Sequence, residues 1–174
     1  ITNYDFDFVI GSTHVVKQVD IYYPAYYEGR NEEDCYREYF EETLKNAQSN
    51  VDFDVYGHLD YVVRYGPNKN KFYSYQKYAD VIDEILRTLI QKGKGLELNT
   101  AGFKYGLGHA HPIIPVLKRY KELGGEIITL GSDGHAPEQI AWDFDKVPSI
   151  LKEAGFEHFT VFHNRKPEFH KITI

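Results

Sequence analysis

Short apolar runs alternate with longer stretches of helical periodicity along this chain. The apolar runs cover residues 7–11, 54–59, 95–99, 126–131 and 158–162. They are near-continuous rather than strictly alternating, which is the pattern of strands buried on both faces of a parallel sheet. Between them, Glu32 to Lys45 predicts a helix that carries Tyr36, Tyr39, Phe40 and Leu44 on one face. Ser74 reads as the N-cap of a second helix, with Tyr75, Tyr78, Ile82, Ile85, Leu86 and Leu89 turned inward. Pro112 fits the first turn of a third, whose apolar face is Ile113, Val116, Leu117, Tyr120 and Leu123 and which Gly124-Gly125 stops. The last helix is expected from Asp145 to Ala154, with Gly155 just past its end. Strand–helix–strand order predicts an α/β fold built of parallel βα repeats. Five strands are too few to close an eight-stranded barrel.

In such folds the loops at the C-terminal ends of the strands converge on one face. His14 follows the first strand in Gly11-Ser12-Thr13-His14. His58 ends the second, Glu97 and Asn99 the third, and Asp133 and His135 the fourth in Gly131-Ser132-Asp133-Gly134-His135. Imidazole nitrogen and carboxylate oxygen together are a ligand set for Zn, Mn or Fe(II). Small neighbours let Asp133 and His135 both reach a metal; a turn or helix cap with an incidental histidine is the plainer reading. Glu97 has three readings: a ligand, an acceptor that fixes a histidine tautomer, or a buried acid with a partner. Arg64 and Lys104 follow ligand-bearing strands and suit a phosphate, Arg bidentately and Lys as a point charge; solvated loop charges are the alternative. His109 and His111 resemble an HxH pair, but they sit in a Gly-rich loop before a helix and read as loop histidines near the site. His158, His163 and His170 read as structural or surface residues, and Cys35 as a buried thiol.

Composition narrows the function. The chain has 174 residues, of which 42% are hydrophobic and 26% charged, the balance of a globular domain. One cysteine excludes an internal disulfide framework and a multi-Cys zinc site. A net charge of −6 argues against a nucleic-acid groove. No apolar run approaches the roughly 20 residues needed to span a bilayer. The opening Ile1-Thr2-Asn3-Tyr4-Asp5 is too polar for a secretory signal, and with no Met in the chain the N-terminus reads as a processing or truncation boundary.

The segments DFVIGSTH, YGHLDYVVRYG, GLELNTAGFKYG and GGEIITLGSDGH, in this order and spacing, resemble the histidinol-phosphatases of the polymerase-and-histidinol-phosphatase (PHP) superfamily. The resemblance spans essentially the whole chain. It implies the C-terminal part of a distorted (β/α)7 TIM-like barrel, with residues 1–174 forming a single PHP-type domain that lacks its N-terminal βα units. It implies a cytoplasmic, metal-dependent hydrolase that converts L-histidinol phosphate to L-histidinol and phosphate in histidine biosynthesis, using up to three divalent metals. By the same resemblance His14 and His58 are ligands of one metal, Asp133 of a second and His135 of a third. Asp133 and His135 are the candidate catalytic pair, and Arg64 and Lys104 the substrate-phosphate contacts. Glu97 and Asn99 match the family's carboxylate-and-amide strand, to which the resemblance assigns no firm role; support of the ligands from behind is one option.

One departure qualifies the match. The family opens with an HxH strand and a bridging Glu before the GSTH segment, whereas only thirteen residues precede His14 here, none of them His or Glu. A fragment is therefore expected, partnered by the missing N-terminal segment or self-associating at an open barrel edge. The alternatives are a phosphodiesterase or nuclease of the same superfamily, and a non-catalytic truncated barrel that binds a metal or a partner.

Overall fold

The computed structural model describes residues 4–173; the polar opening Ile1 to Asn3 lies outside them. Four parallel strands form the central sheet. In chain order the strands are β1 (Ile10–Gly11), β2 (Val15–Val16), β3 (Val19–Asp20), β4 (Val55–Tyr56), β5 (Gly95–Asn99), β6 (Ile128–Gly131), β7 (His158–His163) and β8 (Lys166–Lys171). The sheet order is β1-β4-β5-β6, every pair parallel. β5 is buried along its whole length, as its apolar run requires.

Helices connect these strands: α1 (Glu32–Gln48), α2 (Ala79–Gln91), α3 (Ala101–Lys104), α4 (Ile114–Glu122) and α5 (Val147–Glu153). The predicted inward face of α1 packs into the core through Tyr36, Tyr39 and Phe40. Asn31 caps α1, its side chain accepting from the backbone N–H groups of Glu33 and Asp34 at 2.8 and 3.3 Å. α2 presents Ile82, Ile85, Leu86 and Leu89 to the same core.

Three expectations are corrected. Ser74 does not cap α2: it precedes a 3₁₀ turn (Tyr75–Tyr78), makes no capping bond there, and α2 begins only at Ala79. Pro112 lies before α4; Pro115 takes the first-turn position, with Ile113 extended as the N-cap. The run at 158–162 does not join the parallel sheet. It forms β7, which pairs antiparallel with β8 through the turn Asn164-Arg165. Both turn residues have positive φ, 49° and 63°, as a two-residue hairpin turn requires. β7 stays beside β6, where the Ile128 N–H donates to Thr160 Oγ1 at 3.3 Å. A second hairpin, β2–β3, follows His14 directly and was not legible in the pattern.

Candidate active site

The C-terminal ends of β1, β4, β5 and β6 open on one cleft of about 520 Å³, lined by His14, Tyr22, Tyr61, Tyr65, Lys104, Tyr105, Asp133, His135 and Gln139. Four of the residues singled out from the sequence therefore share one mouth: His14, Lys104, Asp133 and His135. His58 stands behind them. Its ring meets that of His14 edge-on at 5.1 Å and stacks on Tyr61 at 4.5 Å. Backbone geometry turns these residues out of their strands. His58 has φ 27° and Asp133 φ 48°, left-handed conformations that collect at functional sites because surrounding structure must hold them.

Glu97 and Asn99 are bonded to each other behind the His58 backbone. Glu97 Oε2 accepts from the His58 backbone N–H at 2.9 Å and from Asn99 Nδ2 at 3.0 Å. Asn99 Oδ1 in turn accepts from the Ala101 N–H at 2.9 Å, fixing the start of α3. Gly57 and Gly131 leave the room that this buried carboxylate needs. Burial pushes the Glu97 carboxyl above the usual carboxylate range.

Arg64 is more enclosed than a loop charge, at 3% exposure. Its guanidinium lies over the rings of Tyr61 and Tyr105, 4.8 and 4.7 Å from their centroids. Nη1 donates to Asp133 Oδ2 at 2.5 Å and Nε to His111 Nε2 at 3.0 Å. Burial pushes the Asp133 carboxyl up, but the hydrogen bond and charge of Arg64 outweigh it, so the group lies below the usual range. Lys104 Nζ donates to the Asp133 carbonyl at 2.9 Å and to Gln139 Oε1 at 3.0 Å. His135 Nδ1 donates to the same carbonyl at 2.9 Å.

Pattern reading did not single out Asp60 or assign a role to His111. Both are completely buried. Asp60 Oδ1 accepts from His111 Nδ1, and Oδ2 from the Ile113 N–H at 3.0 Å. His111 is pinned to the end of β5 by a reciprocal pair of backbone bonds with Asn99, at 2.7 and 2.8 Å. The signal that could have found Asp60 is its place in YGHLDYVVRYG, two residues past His58. His109 is half-buried and its Nδ1 donates to its neighbour's carbonyl. His158, His163 and His170 are exposed on the β7–β8 hairpin, away from the cleft. Cys35 is buried, and burial raises its thiol above the ordinary range, so it is no nucleophile.

The donor set fits a divalent metal in part. Burial holds His14 and His58 below the ordinary imidazole range, His58 pushed down to about 3, so both rings are neutral ligands at pH 7. His58 Nδ1 is buried with no hydrogen-bond partner among the described residues, as a nitrogen reserved for a cation would be. Yet among the described residues no group of three or more His, Cys, Asp or Glu is arranged to hold a metal. Asp133 is instead engaged by Arg64.

Residues 1–101 match the model of the PHP domain. The chain belongs to the PHP-domain family. It is 34% identical over 170 residues to a histidinol-phosphatase of Lactococcus lactis, which covers 97% of this chain and 63% of that protein. It is 31% identical over 154 residues to a Clostridium acetobutylicum protein named "Probable histidinol-phosphatase", covering 88% of the chain and 60% of the relative. The fold matches the crystal structure of a Lactococcus lactis histidinol phosphate phosphatase complexed with zinc, L-histidinol and phosphate. The TM-score is 0.80 at 31% identity, over 96% of this chain and 64% of that one. The chain thus spans about three fifths of the length of the curated relatives it matches. The open parallel sheet, alternating with helices, is part of a PHP-type TIM-like barrel. No helix among the described residues is long and apolar enough to cross a membrane.

Proposed function

We propose that this PHP-family chain carries the C-terminal part of a cytoplasmic phosphomonoester hydrolase site acting on L-histidinol phosphate, and that residues 1–174 form one PHP-type domain. The observation that carries the reading is the cleft, lined by the neutral His14, the Asp133 carboxylate, His135 and the Lys104 ammonium at the ends of parallel strands, with His58 against His14 and Arg64 bonded to Asp133 behind them. Hydrolysis breaks the P–O ester bond and adds water, so the site must offset charge on the phosphoryl oxygens and protonate a leaving alkoxide.

In this reading His14 and His58 hold one divalent metal, Zn, Mn or Fe(II), with Asp133 and His135 contributing to others in a complete site. When bound, the metal supplies Lewis-acid polarisation of the phosphoryl group. Lys104 and Arg64 hold phosphoryl oxygens, Lys104 from the cleft wall and Arg64 from beneath Tyr61 and Tyr105. Asp133 and His135 stand where a proton can be moved at the ester oxygen. Glu97 and Asn99 keep the His58 turn in place through the 2.9 Å backbone bond. Tyr22, Tyr61, Tyr65 and Tyr105 give the cleft an aromatic wall suited to a flat imidazole ring.

The parallel sheet ends at β1, where Ile10 is 47% exposed. That edge is proposed to pair with a further family segment or a second copy, because an unpaired edge recruits strands. The test assays the chain, alone and with the N-terminal segment of a relative added, on histidinol phosphate and on a panel of monoesters and diesters, with Zn, Mn or Fe(II). Selective turnover of histidinol phosphate is expected when the segment is present. A preference for diesters would point to a nuclease instead. Metal uptake without any turnover would leave a non-catalytic binding module.

A further inference from the structure

Beneath the cleft floor the side chains of the buried pair Asp60 and His111 bond to each other, to the Ile113 N–H and to Arg64, and to no candidate metal ligand among the described residues; the reaction proposed above does not use them. Arg64 Nε always carries a proton, so the 3.0 Å contact makes His111 Nε2 the acceptor. The single proton of the neutral ring is then on Nδ1, where Asp60 Oδ1 receives it. Asp60 cannot turn away, because its other oxygen holds the Ile113 N–H. His111 cannot slide, because its backbone is bonded both ways to Asn99 at the end of β5. A chain of directed hydrogen bonds therefore runs from Asp60 through His111 to the guanidinium. It leaves Nη1 on Asp133 and Nη2 buried without a partner among the described residues.

We propose that Asp60 and His111 are positioning residues: they lock one histidine tautomer so that its Nε2 lone pair fixes the rotation of the Arg64 guanidinium within its plane, leaving Nη1, now on the cleft carboxylate Asp133, to meet a phosphate. The phosphate half of this statement rests on the phosphomonoesterase reading; the tautomer half does not. An arginine packed against two tyrosine rings has its plane roughly set by them; its rotation within that plane is held by Nε on His111 and Nη1 on Asp133, and by Nε alone once an anion takes Nη1 from Asp133. Holding it removes that freedom before ligand arrives, which is how pre-organisation strengthens binding.

The experiment uses the full chain labelled with ¹⁵N. Long-range ¹H–¹⁵N correlation reads the His111 tautomer, solvent exchange reads the Arg64 Nε–H, and calorimetry with inorganic phosphate reads the cleft. Wild-type protein should show His111 protonated on Nδ1 alone and a protected Arg64 Nε–H. An Nε2–H tautomer, an imidazolium at neutral pH or a freely exchanging Nε–H overturns the proposal without any variant being made. Asp60→Asn replaces one acceptor oxygen with a donor, facing either the Ile113 N–H or His111 Nδ1, and should expose the Arg64 Nε–H. His111→Ala should do the same, whereas His111→Gln, which keeps an acceptor near the Nε2 position, should restore protection. Phosphate affinity should fall about tenfold in Asp60→Asn and His111→Ala, the worth of one directed charge-assisted bond, and recover in His111→Gln. Unchanged affinity in the first two variants, with Arg64→Ala abolishing binding, would show that Arg64 needs no positioning. If wild-type protein binds no phosphate even with Zn²⁺ and the complementary family segment added, the phosphomonoesterase reading fails, and the tautomer and exchange readings still decide whether Arg64 is held.

Discussion

A β-carbon on Gly131 would lie 1.9 Å from Glu97 Oε1. The two residues lie on neighbouring strands, two register positions apart (Glu97 pairs with Thr129, Asn99 with Gly131), and so share one face of the sheet. Gly131→Ala must therefore push the carboxylate aside. The displaced group would release the His58 N–H and Asn99 Nδ2, both buried. Overpacking and unsatisfied donors together should cost about 3 kcal/mol, read as a lowered midpoint in chemical denaturation. A midpoint within error of wild type would show that Glu97 has slack which the structure does not suggest.

Acid should unfold this protein early. His14, His58 and His111 all have folded-state pKa values below the ordinary imidazole value, chiefly through burial, and His58 is pushed down to about 3. Below pH 6.5 the unfolded chain takes up protons that these rings refuse, so the stability they contribute is present above 6.5 and is lost as pH falls toward their folded values. For His58 the window runs from 6.5 to about 3. Glu97 acts the other way: its raised carboxyl favours the folded state as pH falls, one group against three. Denaturation midpoints measured in EDTA from pH 8 to 4 should be level above 6.5 and decline below it. A midpoint that holds or rises between pH 6.5 and 5 contradicts the burial of these imidazoles.

The strand-end placement of His14, His58, Glu97, Asn99, Asp133 and His135 was legible because buried parallel strands leave a continuous apolar run, and the first polar residue after it must lie at the mouth. β5 was readable to the residue for the same reason. The run at 158–162 misled because an apolar stretch does not state its partner's direction. β8 is exposed along its whole length and Phe169 is its one large apolar residue, so it shows no apolar run and the Asn164-Arg165 turn is what marks the hairpin. Asp60 and His111 were hidden differently. A polar pair buried against each other leaves no trace in periodicity, and a sequence separation of 51 puts the contact beyond any local spacing. For Arg64 the sequence left a phosphate contact and a solvated loop charge equally open, because it cannot show that the side chain is buried against Tyr61 and Tyr105.

Lys104 should matter to phosphate more than to folding. Its Nζ reaches the Asp133 carbonyl and Gln139 Oε1 from the cleft wall. Both acceptors are uncharged, so the ammonium keeps its charge for an anion. Lys104→Ala should weaken inorganic phosphate binding by about tenfold, the value of a lost ionic hydrogen bond, while moving the denaturation midpoint by less than about 1 kcal/mol. Affinity unchanged by the substitution would remove Lys104 from the phosphate site.

Metal binding by this chain should be real but weak, and two histidines should decide it. His14, at the mouth, and His58, behind it, are neutral imidazoles with rings in contact, and His58 Nδ1 has no partner among the described residues. Two nitrogens with water completing the shell bind zinc far less tightly than four fixed ligands do. Asp133 could add a third, but its carboxylate would first have to leave Arg64 Nη1, trading one charge-assisted bond for another. Titration of metal-free chain with Zn²⁺ should thus give a micromolar-range rather than a picomolar-range site, with a thermal midpoint that rises on addition and returns with EDTA. His58→Ala should abolish the uptake. Asp133→Asn should change it little in this chain but strongly once a complementary family segment is added, because the carboxylate is then needed for a complete cluster. Tight stoichiometric binding that survives His58→Ala would mean that the cation sits elsewhere, and the assignment of the cleft as a metal centre would fall with it.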